Sequence, residues 1–128
     1  MSIRIVIADD EGVVRGGLRM ILEAEEDLEV VGDAADGREA IELVRRTKPD
    51  VALMDIRMPN LDGIAAARTL TGESTDTRIV MLTTFDQDEY LYEALRAGTS
   101  GFLLKAAPPE QLVAAVRLRK SSRHRSRS

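Results

Sequence analysis

The sequence predicts an α/β sandwich, a parallel sheet covered by helices on both faces, and three observations carry that reading. Short apolar runs recur five times, at Ile3 to Ala8, Leu28 to Ala35, Val51 to Met54, Ile79 to Leu82 and Gly101 to Leu104. Between them lie stretches whose apolar positions repeat every three or four residues, the spacing of a helix with one buried face. Apart from Leu28 to Ala35, which Glu29 and Asp33 interrupt, the runs are close to continuously apolar instead of alternating, as suits strands buried on both faces. Parallel neighbours need long crossovers, usually helical, so this alternation implies βα units wound about one sheet.

Taken in order, IRIVIA ends in Asp9, Asp10 and Glu11, an apolar strand delivering acids at its carboxyl end. Val14, Leu18, Ile21 and Leu22 then mark one face of a first helix over Val13 to Leu22. After the second strand, Asp36 and Gly37 turn the chain into a helix with the apolar stripe Ala40, Ile41 and Val44, closed by Pro49. The third strand runs into Asp55 and is broken by Pro59, Asn60, Asp62 and Gly63. With Asp62 as its cap, a third helix carries Ile64, Ala67 and Leu70. The fourth strand stops at Thr83 and Thr84, and a helix from about Asp88 to Ala97 follows, with Leu91, Ala94 and Leu95 inward. Gly98 is placed to end it in a left-handed conformation. The fifth strand ends at Lys105, and Pro108 and Pro109 open a last helix whose inner face is Leu112, Ala115 and Val116. The expected product is a flavodoxin-like (βα)5 doubly wound sheet of a single domain, with strand order 2-1-3-4-5.

Composition narrows the class. At 128 residues, 44% hydrophobic and 31% charged, the chain suits one soluble domain with its own core. No apolar run approaches the about 18 residues of a membrane span. The start, MSIRIVIADD, lacks the pattern of a secretory signal, so the chain is expected in the cytoplasm, which the absence of cysteine fits. Residues 117 to 128 hold six basic groups and no acid, leaving 12 basic against 22 acidic groups in the rest. An acidic body argues against nucleic-acid binding by the folded part. We divide the chain into a domain at 1–118 and a basic, Ser/Arg-rich, disordered tail at 119–128, more readily a truncation or expression scar than a binding arm.

In the expected strand order the crevice lies between the first and third strands, the two that end in Asp9 with Asp10 and in Asp55. Alone, Asp55 reads as a turn residue, and Lys105 as a solvated lysine. Three carboxylates at one sheet end repel one another, however, and call for a cation. Magnesium fits, since it takes a few carboxylate oxygens and keeps sites for water and a phosphate oxygen. The neighbouring strand ends supply the Thr83 hydroxyl and the Lys105 ammonium. Together they make a place to stabilise a phosphoryl group carried on a carboxylate.

On Asp9 and Asp10, MDIRMPNLDG around Asp55, Thr83 after IVML, and Lys105 in GTSGFLLK, the chain resembles response-regulator receiver domains over residues 3 to about 116. VVRGGLRMILE and TTFDQDEYLYEALRAGTSGFLLKA are most similar to the NarL/FixJ, or LuxR-type, regulators. The resemblance implies that Asp55 accepts a phosphoryl group from a histidine kinase. It implies magnesium held by Asp10, Asp55 and the backbone carbonyl of Arg57, with Asp9 acting through water, while Thr83 and Lys105 bind phosphoryl oxygens. It further implies a switch through Thr83 and Phe102, self-catalysed phosphorylation and dephosphorylation and no other enzyme activity, a homodimer through the first and last helices, and control of transcription. DNA binding would belong to an output domain absent from these residues.

Three positions depart from the family's pattern: no helix-turn-helix segment follows, Phe102 has no hydroxyl to bond inward, and Ala106 stands where proline often follows the lysine, leaving that peptide's isomer open. Arg57 and Phe85 are expected near the phosphoryl pocket. Tyr90 and Tyr92 read as helix surface or edge packing, and His124 lies in the tail without companion ligands. Two competing functions are a magnesium-dependent aspartyl phosphohydrolase, which wants a carboxylate where Arg57 stands, and a degenerate interaction module that works without phosphorylation. A nucleotide- or flavin-binding module ranks last, because the acids after the first strand repel phosphate.

Overall fold

The computed structural model describes residues 2–84 and 90–118. Among these, strands and helices alternate in the order β1 (Ile3–Ala8), α1 (Gly12–Glu23), β2 (Leu28–Ala34), α2 (Gly37–Thr47), β3 (Val51–Asp55), α3 (Gly63–Gly72), β4 (Arg78–Thr83), α4 (Leu91–Arg96), β5 (Gly101–Leu104) and α5 (Pro109–Arg117). The strands form one sheet in the order β2-β1-β3-β4-β5, every pair parallel. This is the doubly wound order that the sequence predicts.

Period-two geometry splits each strand between two cores. Ile5 and Ile7 of β1 pack with Leu22 of α1 and with Val113 and Val116 of α5. Val6 and Ala8 point the other way, into Ala40 and Val44 of α2, Ala67 of α3 and Ala94 of α4. β3 is buried at every position, which is why its sequence shows no polar alternation. Side chains such as Leu53 and Ile5, wholly removed from water, each contribute roughly 1.5–3 kcal/mol.

Asp36 caps α2 by accepting from the Glu39 N–H at 2.9 Å, and Asp62 caps α3 by accepting from Ala65 N–H at 2.8 Å. Pro109 takes the first turn of α5, and Gly98 adopts φ 90° after α4. The second apolar run ends as a strand at Ala34, one residue before Ala35.

Two helix faces differ from expectation. Leu95 is 58% exposed, and α4 instead meets the sheet through Ala94 and Ala97, small residues that allow a close approach. In α5, Val113 is buried and Ala115 only half-buried, because the stripe rotates to Leu112, Val113 and Val116. The expected start of α4 near Asp88 lies outside the described residues, as do Phe85, His124 and the 119–128 tail. The Lys105–Ala106 bond is trans. Among the described residues no helix is long and apolar enough to cross a membrane.

Candidate functional site

The sheet register gathers the candidate residues at one edge. Ala8 pairs with Met54, so Asp9 follows β1 at the level of Asp55, the last residue of β3. Asp55 pairs with Leu82 and Thr83 with Leu104, which brings Thr83 and then Lys105 to the same rim. Thr83 is buried at the end of β4, and Phe102 is half-buried against the core layer that includes Ala94 and Met81.

Asp9 and Asp55 are both buried while Asp10 is exposed, and each can offer an oxygen to a cluster whose ligand atoms lie within 4.8 Å of one another. The Lys105 Nζ stands between the buried pair, 3.0 Å from Asp9 Oδ2 and 3.1 Å from Asp55 Oδ2. Asp9 is held further by the Glu11 N–H, which donates to its Oδ1 at 2.9 Å, and by Arg15 Nη1, which donates to its carbonyl at 2.6 Å. Asp55 Oδ1 is buried without a hydrogen-bond partner, and Asp9 Oδ2 has the lysine as an ion pair without hydrogen-bond alignment.

One ammonium therefore serves two buried carboxylates, and the energetics follow. Burial pushes Asp55 up to about 6, with the Asp9 charge adding to it and the lysine opposing it. The Lys105 ammonium is desolvated, which works to lower its pKa, but its pairing with the Asp9 and Asp55 carboxylates outweighs this and raises it. An orphaned carboxylate oxygen beside two further acids is a donor set of hard oxygens, and it fits a hard divalent cation such as Mg2+.

Gly63 explains how the strand that carries Asp55 is anchored. A Cβ at Gly63 would lie 2.0 Å from the Asp55 carbonyl oxygen, so the first turn of α3 packs directly on the backbone that carries Asp55. The Gly63 N–H also donates to the Ile56 carbonyl at 2.9 Å. The loop between them is tied to α2, where Asn60 Nδ2 donates to Asp36 Oδ2 at 2.6 Å.

The structure brings Asp9, Asp10, Asp55 and Lys105 together and sets Thr83 at the adjoining strand end. Sequence reasoning missed the support given by Glu11 and Arg15, and it placed Tyr90 as surface or edge packing. Tyr90 is half-buried, and its hydroxyl accepts from Arg57 Nη1 at 3.0 Å. No local pattern announces a contact between residues 33 positions apart.

The family of the response regulator receiver domain matches residues 5–117, and the chain belongs to it. The chain is 48% identical over 116 residues to the uncharacterized transcriptional regulatory protein YxjL of Bacillus subtilis, covering 91% of this chain and 53% of that protein. It is 50% identical over 115 residues to the oxygen regulatory protein NreC of Staphylococcus haemolyticus, covering 89% and 53%. Among solved structures, the signal receiver domain of NarL from Mycobacterium tuberculosis superposes with a TM-score of 0.86 at 37% identity, over 90% of this chain and 93% of that one. The chain spans about half the length of the curated relatives it matches.

Proposed function

We propose that this chain is a phosphorylation-controlled switch in which Asp55 takes a phosphoryl group from a histidine kinase. The observation that carries the reading is the state of the Asp55 carboxylate, buried with Oδ2 on Lys105 and Oδ1 unpartnered. A carboxylate oxygen attacks phosphorus, the bond from phosphorus to the kinase imidazole nitrogen breaks, and the imidazole leaves with the electron pair. Lys105 balances charge on the Asp55 side, and the Thr83 hydroxyl donates to a phosphoryl oxygen. Asp10, Asp55 and the Arg57 carbonyl would hold Mg2+, with Asp9 acting through water. The ion supplies neutralisation of the transferring oxygens when bound. Water later cleaves the acyl phosphate in the same pocket, so the chain acts on its own phosphoryl group and on no separate substrate.

Drawing Thr83 toward the phosphoryl group frees space for Phe102 to turn inward, which shifts the population between two forms of the α4–β5–α5 face. We assign the homodimer to α1 and α5. Supporting this, an apolar groove lined by Ile21, Val113 and Leu118 lies between them, and Met20 and Leu118 are exposed. Transcription is the output we infer for the whole regulator, with DNA bound outside these residues, by likeness to YxjL. We place the protein in the cytoplasm. The test is intact mass after incubation with acetyl phosphate, with and without magnesium. One magnesium-dependent phosphoryl adduct, absent from Asp55→Asn, is expected. An equal adduct on the variant would overturn the acceptor assignment.

A further inference from the structure

The two ends of α4 are held differently. At its C-terminal end Thr71 Oγ1 donates to the Ala97 carbonyl at 2.7 Å, Thr99 Oγ1 donates to the Ala94 carbonyl at 3.0 Å, and both alanines are buried. At the other end Tyr90 occupies the N-cap position without a side-chain capping bond and, like Phe102, packs against the core layer. Its hydroxyl accepts from Arg57, whose guanidinium also lies 5.6 Å from the ring centroid. Arg57 is exposed, and among the described residues it makes no ion pair with a carboxylate. A full positive charge is thus held by a neutral phenol and a ring face.

Arg57 follows Asp55 by two residues, so their Cα atoms are at most about 7 Å apart, within the sweep of an arginine side chain. A phosphoryl group on Asp55 brings close to two negative charges and three acceptor oxygens. Hydrogen bonds from a guanidinium to such an anion are roughly twice as strong as neutral ones, and they suit its fork. We propose that Tyr90 is a positioning residue that holds the Arg57 guanidinium at the head of α4, and that an anion on Asp55 takes the guanidinium away. Release loosens the N-terminal end of α4 while its C-terminal end stays pinned. This rests on Asp55 being the acceptor.

The sequence makes the latch observable, because Tyr90 and Tyr92 are its only tyrosines and it has no tryptophan. The experiment uses the full chain with 13C-labelled tyrosine rings, beryllofluoride and Mg2+, with Tyr92→Phe to assign the signals. The fluorine resonance of the bound anion reports occupancy independently. At saturation the Tyr90 signal should move to the position it holds in anion-free Arg57→Leu. Tyr90→Phe, which keeps the ring and loses the hydroxyl, should tighten beryllofluoride binding by about two- to fivefold, the worth of an exposed hydrogen bond. That gain should vanish in the Arg57→Leu background, which a merely structural role for Tyr90 would not produce. A bound fluorine resonance with the Tyr90 signal unmoved, or an equal Tyr90→Phe effect with and without Arg57, overturns the latch and leaves the acceptor reading standing. No bound resonance at saturating anion and metal overturns both.

Discussion

Replacing Asp55 by asparagine should stabilise the metal-free chain at neutral pH, although it removes one half of an ion pair. The magnitude follows from the site. Asp55 is raised from 3.8 to about 6 in the folded state, burial leading and Asp9 adding, with the Lys105 attraction already counted against them. For an acid whose folded pKa lies above its unfolded value, the native state binds more protons between the two. Stability is then full below about pH 4 and falls as pH rises toward about 6. At roughly 1.4 kcal/mol per pKa unit, keeping Asp55 ionised costs about 3 kcal/mol at pH 7.5. A neutral isostere escapes that cost. The assay is urea unfolding in the presence of a chelator, at pH 7.5 and again at pH 4. With a urea slope of roughly 1–3 kcal/mol per molar, the Asp55→Asn midpoint should lie roughly 1–3 M above that of the unsubstituted chain at pH 7.5. The two midpoints should converge at pH 4. Added magnesium should raise the midpoint of the unsubstituted chain and leave the variant nearly unmoved. A variant less stable at pH 7.5 would refute the reasoning, for it would mean that the lysine pairing outweighs the burial of two carboxylates.

Three further expectations follow from the same geometry. Lys105→Met removes the cation shared by Asp9 and Asp55, so the Asp55 titration followed by carboxyl NMR should move upward, and adduct formation from acetyl phosphate should slow by about tenfold or more. Thr83→Ala should still yield the adduct by mass, yet the beryllofluoride-induced change in amide spectra of α4 and β5 should shrink. Gly63→Ala forces a methyl group into the Asp55 carbonyl and should destabilise the chain by about 1–3 kcal/mol in urea unfolding, more than Gly72→Ala, where the added group meets open space.

The strands were legible because parallel sheets bury both faces, so Val51 to Met54 and Ile79 to Leu82 are continuous apolar runs closed by polar residues. The strand order places Asp9, Asp55, Thr83 and Lys105 at successive carboxyl ends of one sheet, and the family resemblance is what favours Thr83 over its neighbour Thr84. Helix faces were harder. Near Leu95 several apolar residues compete for the inward position, and the choice fell to close packing of Ala94 and Ala97, which periodicity does not weigh. Contacts between distant loops were invisible: the Arg57–Tyr90 contact, the Asn60–Asp36 tie and the seat of Gly63 on Asp55 depend on how layers meet, not on local pattern.

The spread of the site across the strand ends also bears on synthesis. The cluster needs Asp9 from the first strand and Lys105 from after the last, so nearly the whole domain must leave the ribosome before the lysine can join the two acids. A nascent chain stopped short of β5 carries Asp55 but not the cation that attends it. Under the proposed switch, competence for phosphorylation arrives late in translation, and half-made chains give a kinase little to modify.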